Sequence, residues 1–239
     1  MTCWAYYPGP DEVGRAPEEF LRHSIGVVEY LFNNLAHVTT PVIRKASRML
    51  GVSEDLVSDA VLLAGLLHDL GKVCACYQEK PWEGFSGHWL LSAGVVFNII
   101  TNPKYSVGTG MGEDEPITLV SLFVLPILLH HYAQTDLLSR AWGTNVGGFQ
   151  VYNDCVGALR SLVGYGLGRV RSTIGESILN DLLSDLGDDA ITTQPMPGWV
   201  GNLLTSNLFN PRRLVTMVIA GLLNEADGTV AGRNRNRGW

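Results

Sequence analysis

Charge is scarce in this chain of 239 residues: Asp, Glu, Lys and Arg make up 17% of it, against 46% apolar residues. That balance excludes a disordered chain and fits a sizeable buried core. The net charge of −6 excludes a broadly basic nucleic-acid coat and leaves only local patches to bind phosphate. No G-x-x-x-x-G-K-[ST] phosphate loop occurs, which excludes an ATPase or helicase built on one. The longest apolar run, Ile117–Leu129, is shorter than the ~20 residues of a membrane-crossing helix and contains Pro126. Met1–Pro10 has neither the basic nor the apolar region of a secretory signal. A cytoplasmic protein with no membrane partner is expected. The four cysteines, Cys3, Cys74, Cys76 and Cys155, do not form paired C-x-x-C zinc knuckles. Cys74 and Cys76 are too close in sequence for an easy disulfide and are expected to pack as small apolar groups, with all four thiols reduced. No internal repeat and no alternating strand pattern is present, so the fold class expected is all-α.

What is present centres on Val61-Leu62-Leu63-Ala64-Gly65-Leu66-Leu67-His68-Asp69-Leu70-Gly71-Lys72. Ser53 reads as an N-cap, with Glu54 and Asp55 suited to the positive helix end. From Ala60 to Leu67 no residue is charged, which predicts a helix buried on every face. His68-Asp69 follow directly, then Gly71, expected to end the helix in a left-handed turn. A carboxylate buried beside an imidazole needs a partner or a metal ion.

Elsewhere, residues 1–16 read as an extended lead-in. A helix is expected from Pro17 to about Leu35, with Glu18 and Glu19 in its first turn and His23 at the margin of its apolar face. Further helices are expected over Val42–Leu50, ending at Gly51, over His88 to about Ile100, and over Ile117–His131 with a kink at Pro126. A polar loop is expected over Thr101–Asp114. Val151–Val163 reads as helical and Ser172–Leu186 as a peripheral helix. Asn210-Pro211 predicts a helix start, and Asp227-Gly228 is expected to close that helix.

The chain has six histidines, and five of them, His23, His68, His88, His130 and His131, fall in or beside these helices with Asp69 and Asp227. His68-Asp69, His130-His131 and Asp227 are each expected at the end of an apolar helix, and such ends can converge at one mouth of a bundle. Five imidazoles and two carboxylates suit two adjacent divalent ions sharing one carboxylate. Imidazole-rich ligation favours transition metals (Mn, Ni, Co or Fe) over Mg. His37, outside this pattern, reads as a surface residue.

These residues, with Arg22-His23-Ser24, His68-Asp69-Leu70-Gly71-Lys72, Tyr77-Gln78, His88, Ser92-Ala93, His130-His131 and Ala226-Asp227 in that order, carry a resemblance. The chain resembles the HD-domain metal-dependent phosphohydrolases, and more closely the stand-alone HD nuclease of type I CRISPR interference. The resemblance implies a single HD-domain helical bundle over residues 1–239. It implies one metal held by His23, His68, Asp69 and Asp227 and a second by His88, His130 and His131, with Asp69 bridging. Lys72 would act catalytically with Asp69, near the scissile phosphate. The implied activity is hydrolysis of single-stranded DNA, with a separate helicase subunit and an RNA-guided CRISPR surveillance complex as partners.

The chain departs from the family at Gly228, where a bulky aromatic is common, and residues 143–200 match no family motif. The basic tail, residues 232–239 with Arg233, Arg235 and Arg237, could hold phosphates or be merely solvated. Two alternatives stand beside the nuclease: a phosphohydrolase of nucleotides or cyclic nucleotides, and an inactive interaction subunit. Gly164-Tyr165-Gly166 lacks the proline of the cyclic-dinucleotide branch.

Overall fold

Ser53 accepts a hydrogen bond from the Leu56 amide and starts a helix over Glu54–Leu67, in which Ala60 through Leu67 are all buried. This is the axle of a mostly helical molecule. The computed structural model describes residues 2–104, 115–131, 148–186, 190–193, 196–205 and 210–236. Around the axle (α3) pack α1 (Phe20–Glu29), α2 (Ala36–Leu50), α7 (Leu125–Leu129), α8 (Asn153–Leu167), α9 (Thr173–Asp185) and α11 (Pro211–Arg235). The remaining helices are α4 (Ala75–Gln78), α5 (His88–Thr101), α6 (Glu115–Leu119) and α10 (Gly198–Thr205).

Several expectations need correction. Pro17-Glu18-Glu19 do not begin a helix: β2 (Glu18–Glu19) pairs antiparallel with β1 (Trp4–Tyr6), and the Phe20 amide donates to the Cys3 carbonyl. The lead-in is therefore partly a strand. A second small pairing joins β3 (Phe149–Gln150) to β4 (Ala190–Ile191). The helix expected from Val42 begins at Ala36 and carries Pro41 in its second turn; Gly51 closes it at φ 68°. Between α6 and α7 the chain widens into a π turn over Val120–Val124, immediately before Pro126, whose missing amide cannot continue the normal ladder.

The Ser172-capped helix is not peripheral. Its Ile178, Leu179 and Leu182 are fully buried and pack with α3 and α5. Much of the fixing is done by Asp59, a buried acid on α3. Its carboxylate accepts from the amides of Arg171 (3.0 Å) and Ser172 (2.7 Å) and from the Ser172 hydroxyl (2.6 Å).

The cysteines are paired, contrary to the expectation of free thiols. Cys3 bonds Cys155, tying β1 to the first turn of α8 across 152 residues, and Cys74 bonds Cys76. The Cys74–Cys76 pair is reachable because Cys74 is extended just before α4, which leaves the two Cα atoms 5.2 Å apart, within the usual span of a disulfide.

The last helix does not end at Asp227-Gly228 but runs on to Arg235. A helical glycine costs only about 1 kcal/mol, and burial of Val230 and Ala231 beyond it offsets that. The tail arginines are consequently held in structure: Arg233 lies 5.1 Å over Tyr30, and Arg235 bonds Glu18 and lies 4.2 Å over Tyr6. Arg237 lies outside the described residues, as does most of the polar loop expected at 101–114. By length and composition this helix could cross a bilayer, yet half of its most apolar window is buried within the molecule.

Candidate metal centre

Each of the seven expected ligands reaches one place by a different local device. His23 is buried on the inner face of α1, and His68-Asp69 follow the last turn of α3. His88 is the first residue of α5, His130 caps the end of α7 with His131 next, and Asp227 sits in the middle of α11 rather than at its end. His37 is exposed on α2, away from the site.

Four ligand atoms form the first group. His23 Nε2 lies 3.2 Å from His68 Nε2, 3.4 Å from Asp69 Oδ2 and 3.1 Å from Asp227 Oδ1. His68 Nε2 is 3.5 Å from Asp69 Oδ2 and 3.8 Å from Asp227 Oδ1. Ligands ~2.1 Å from one divalent ion stand ~3.0–3.4 Å apart, so this spacing suits a shared cation. His88, His130 and His131 form the second group, their ligand atoms within 4.8 Å of one another and His131 Nε2 3.2 Å from His88 Nε2. Asp69 joins the two: Oδ2 faces the first group, while Oδ1 lies 3.0 Å from His88 Nε2.

The outward nitrogens are committed. Nδ1 of His68 donates to the Gly65 carbonyl (2.9 Å), that of His88 to Phe85 (2.6 Å) and that of His130 to Ile127. A carbonyl oxygen can only accept, so Nδ1 carries the proton and the Nε2 lone pair is left for the centre, as metal-binding histidines require. His23 Nδ1 is held by the buried Glu18 carboxylate, 2.8 Å away, which fixes the ring with Nε2 toward the centre. Most telling is His130 Nε2, buried with no hydrogen-bond partner among the described residues. A buried bare lone pair is unfavourable, and a cation shared with His88 and His131 would satisfy it.

The electrostatics point the same way. Burial opposes charge on His23, but hydrogen bonds to Asp227 and Glu18 and the charge of Asp69 outweigh it and raise the ring to about 9. Burial likewise opposes ionisation of Asp69, yet Lys72 and the neighbouring histidines hold it well below the usual carboxylate range. Asp227 is depressed in the same way against its own burial, by His23 and His68. On the other side, burial and then Lys72 push His88 down to about 4, and burial and the adjoining imidazoles push His130 far down. The first group's two carboxylates thus stay ionised and draw positive charge, here a proton on His23, while the second group presents neutral imidazoles.

Lys72 lies on the one-turn 3-10 helix Leu70–Val73, its Nζ 2.7 Å from Asp69 Oδ2. Gly71 is not in a left-handed conformation, contrary to expectation. It is small because α5 crosses here: a Cβ would run into the His88 carbonyl oxygen and come within 2.7 Å of Leu91 Cβ. Its amide donates to Ser92 Oγ, which donates to the His88 carbonyl. Gly71→Ala is expected to push α5 away and displace His88. Metal titration should show the second site weakened by about tenfold or more, with a lowered melting temperature.

Of the two described tail arginines, Arg235 lines the cleft over Lys72, His88 and His131, whereas Arg233 faces a separate groove with Arg22 and Tyr30. Glu18 was not legible as a site residue in the sequence, where it reads as an exposed acid at a helix start. No protein-family model matches the chain, and no curated protein matches it.

Proposed function

We propose that this protein is a divalent-metal-dependent phosphodiesterase of the HD type that hydrolyses DNA, preferring single strands. The observation that carries this reading is the placement of Asp69, with one carboxylate oxygen toward each ligand group. His23, His68, Asp69 and Asp227 would hold one ion and His88, His130 and His131 the other. A bound metal pair supplies an activated water and neutralises phosphate charge. The chain's own residues supply the rest. Asp69 balances both halves of the site, the Nδ1 hydrogen bonds fix the imidazoles, and Lys72 brings a cation to the cleft floor, where charge builds on the phosphate.

On this reading the partners are a separate helicase subunit and an RNA-guided CRISPR surveillance complex, since no phosphate-binding loop is available here to open a duplex. The test is incubation of purified protein with labelled single-stranded DNA, duplex DNA and mononucleotides, each with manganese, nickel, cobalt or magnesium. Shortened single strands are expected, fastest with a transition metal. Phosphate released from mononucleotides beside intact DNA would favour a nucleotide phosphohydrolase instead. Failure to retain any metal would favour an interaction subunit.

A further inference from the structure

The cleft above Lys72, His88 and His131 has a volume of about 430 Å³ and is unusually aromatic. Tyr7, Trp82, Phe85 and Trp89 line it together with Arg235. Among the described residues three aromatics are prominently exposed, Tyr7, Trp82 and Trp199, and two of these three stand at this cleft. Trp82 is 50% exposed on the single turn Pro81–Glu83. Half of the residue is open to solvent, and an indole placed so offers a face on which a planar partner can stack.

The other walls have their own chemistry. Trp89 packs edge-on against His88 and His131, at 5.3 and 5.2 Å between ring centroids, and its Nε1 is buried without an acceptor among the described residues. Lys72 Nζ lies 5.6 Å over the Phe85 ring. Two acids share the rim, but each has a local counterpart: Glu12 accepts from the Gly9 amide and Arg15, and Glu83 pairs with Lys80. The cations facing the cleft are Lys72, which pairs with Asp69, and Arg235, which pairs with Glu18.

We infer that this cleft is a stacking platform for the unpaired bases of single-stranded DNA, with Trp82 and Tyr7 taking base faces and Lys72 and Arg235 the adjoining phosphates. The assignment rests on the phosphodiesterase reading above and adds how the strand is recognised. Base faces are accessible only in a single strand, because a duplex hides them in its own stack. A chain of net charge −6 cannot rely on a general coat of cations, so stacking must supply a large share of the affinity. The site also lies where it must, opening directly onto His88 and His131 of the second ligand group.

The test measures binding of a fluorescein-labelled fifteen-residue oligothymidylate to the full chain by anisotropy, in EDTA so that nothing is cut. Trp82→Ala is expected to weaken binding by about tenfold or more and Trp82→Phe to restore most of it. Trp199→Ala, at an exposed aromatic outside the cleft, should bind as wild type. The duplex of the same length should bind at least about tenfold more weakly than the single strand. With two phosphate-facing cations, the slope of log affinity against log salt should be shallow, about −1.4. Unchanged affinity in Trp82→Ala, or a duplex bound as tightly as the single strand, overturns the assignment. Hydrolysis of bis(p-nitrophenyl) phosphate by the wild-type, metal-loaded protein tests the underlying reading separately. No hydrolysis removes that reading and this inference with it, whereas hydrolysis with unaltered Trp82→Ala binding removes this inference alone.

Discussion

Asp69→Ala is expected to abolish DNA hydrolysis, lowering the rate by at least about a thousandfold, the scale on which loss of a central charge-stabilising group is felt. Its two oxygens face the two ligand groups: Oδ2 lies among His23, His68 and Lys72, and Oδ1 beside His88. Alanine would also leave Lys72, itself 7% exposed, without its carboxylate. An uncompensated buried charge destabilises by about 3–5 kcal/mol, so a fall in stability would accompany the lost activity. Asp69→Asn separates the two effects. It keeps the volume and one carbonyl oxygen, and should retain more of the fold while losing the same activity. Wild-type rates in either variant, assayed with manganese or nickel, would refute the bridging role.

The second large effect lies away from the site. Asp59→Ala is expected to lower the unfolding free energy by about 3 kcal/mol, because it leaves the amides of Arg171 and Ser172 and the Ser172 hydroxyl without an acceptor. Asn in its place should recover part of the loss, since one oxygen can still accept. Larger side chains at Gly175 should act through the same joint, for a Cβ there would lie 2.5 Å from Asp59 Oδ2. Urea denaturation of the three proteins measures this, with metal absent so that ligand binding does not shift the transition.

Asp59 also shows why some of this structure could not be read from the sequence. An acid near the start of a helix reads as solvated. Its partners lie more than a hundred residues away, at Arg171 and Ser172. The axle helix was legible for the opposite reason: Ala60–Leu67 carries no charge on any face, a pattern that only burial satisfies. The candidate ligands were legible only as an ordered set carried by the family resemblance, since each histidine taken singly reads more readily as structural. Glu18 stands directly behind that set, bonded to the outward Nδ1 of His23 and to Asn234 and Arg235. It reads as a helix-start acid because the strand pairing that buries it is a tertiary event. Asp227-Gly228 misled in the other direction. They look like a helix end, but contacts of Val230 and Ala231 carry the helix onward and place Asp227 in its middle. Likewise, Cys3 and Cys155 stand 152 residues apart, and only the fold brings them together.

The most direct test of the metal centre is anomalous diffraction from crystals of the protein grown with manganese. Two peaks ~3.5–4 Å apart are predicted, one among His23, His68, Asp69 and Asp227 and the other among His88, His130 and His131, on either side of the Asp69 carboxylate. No peak at these side chains, or a single ion that leaves His88, His130 and His131 unligated, would contradict the account.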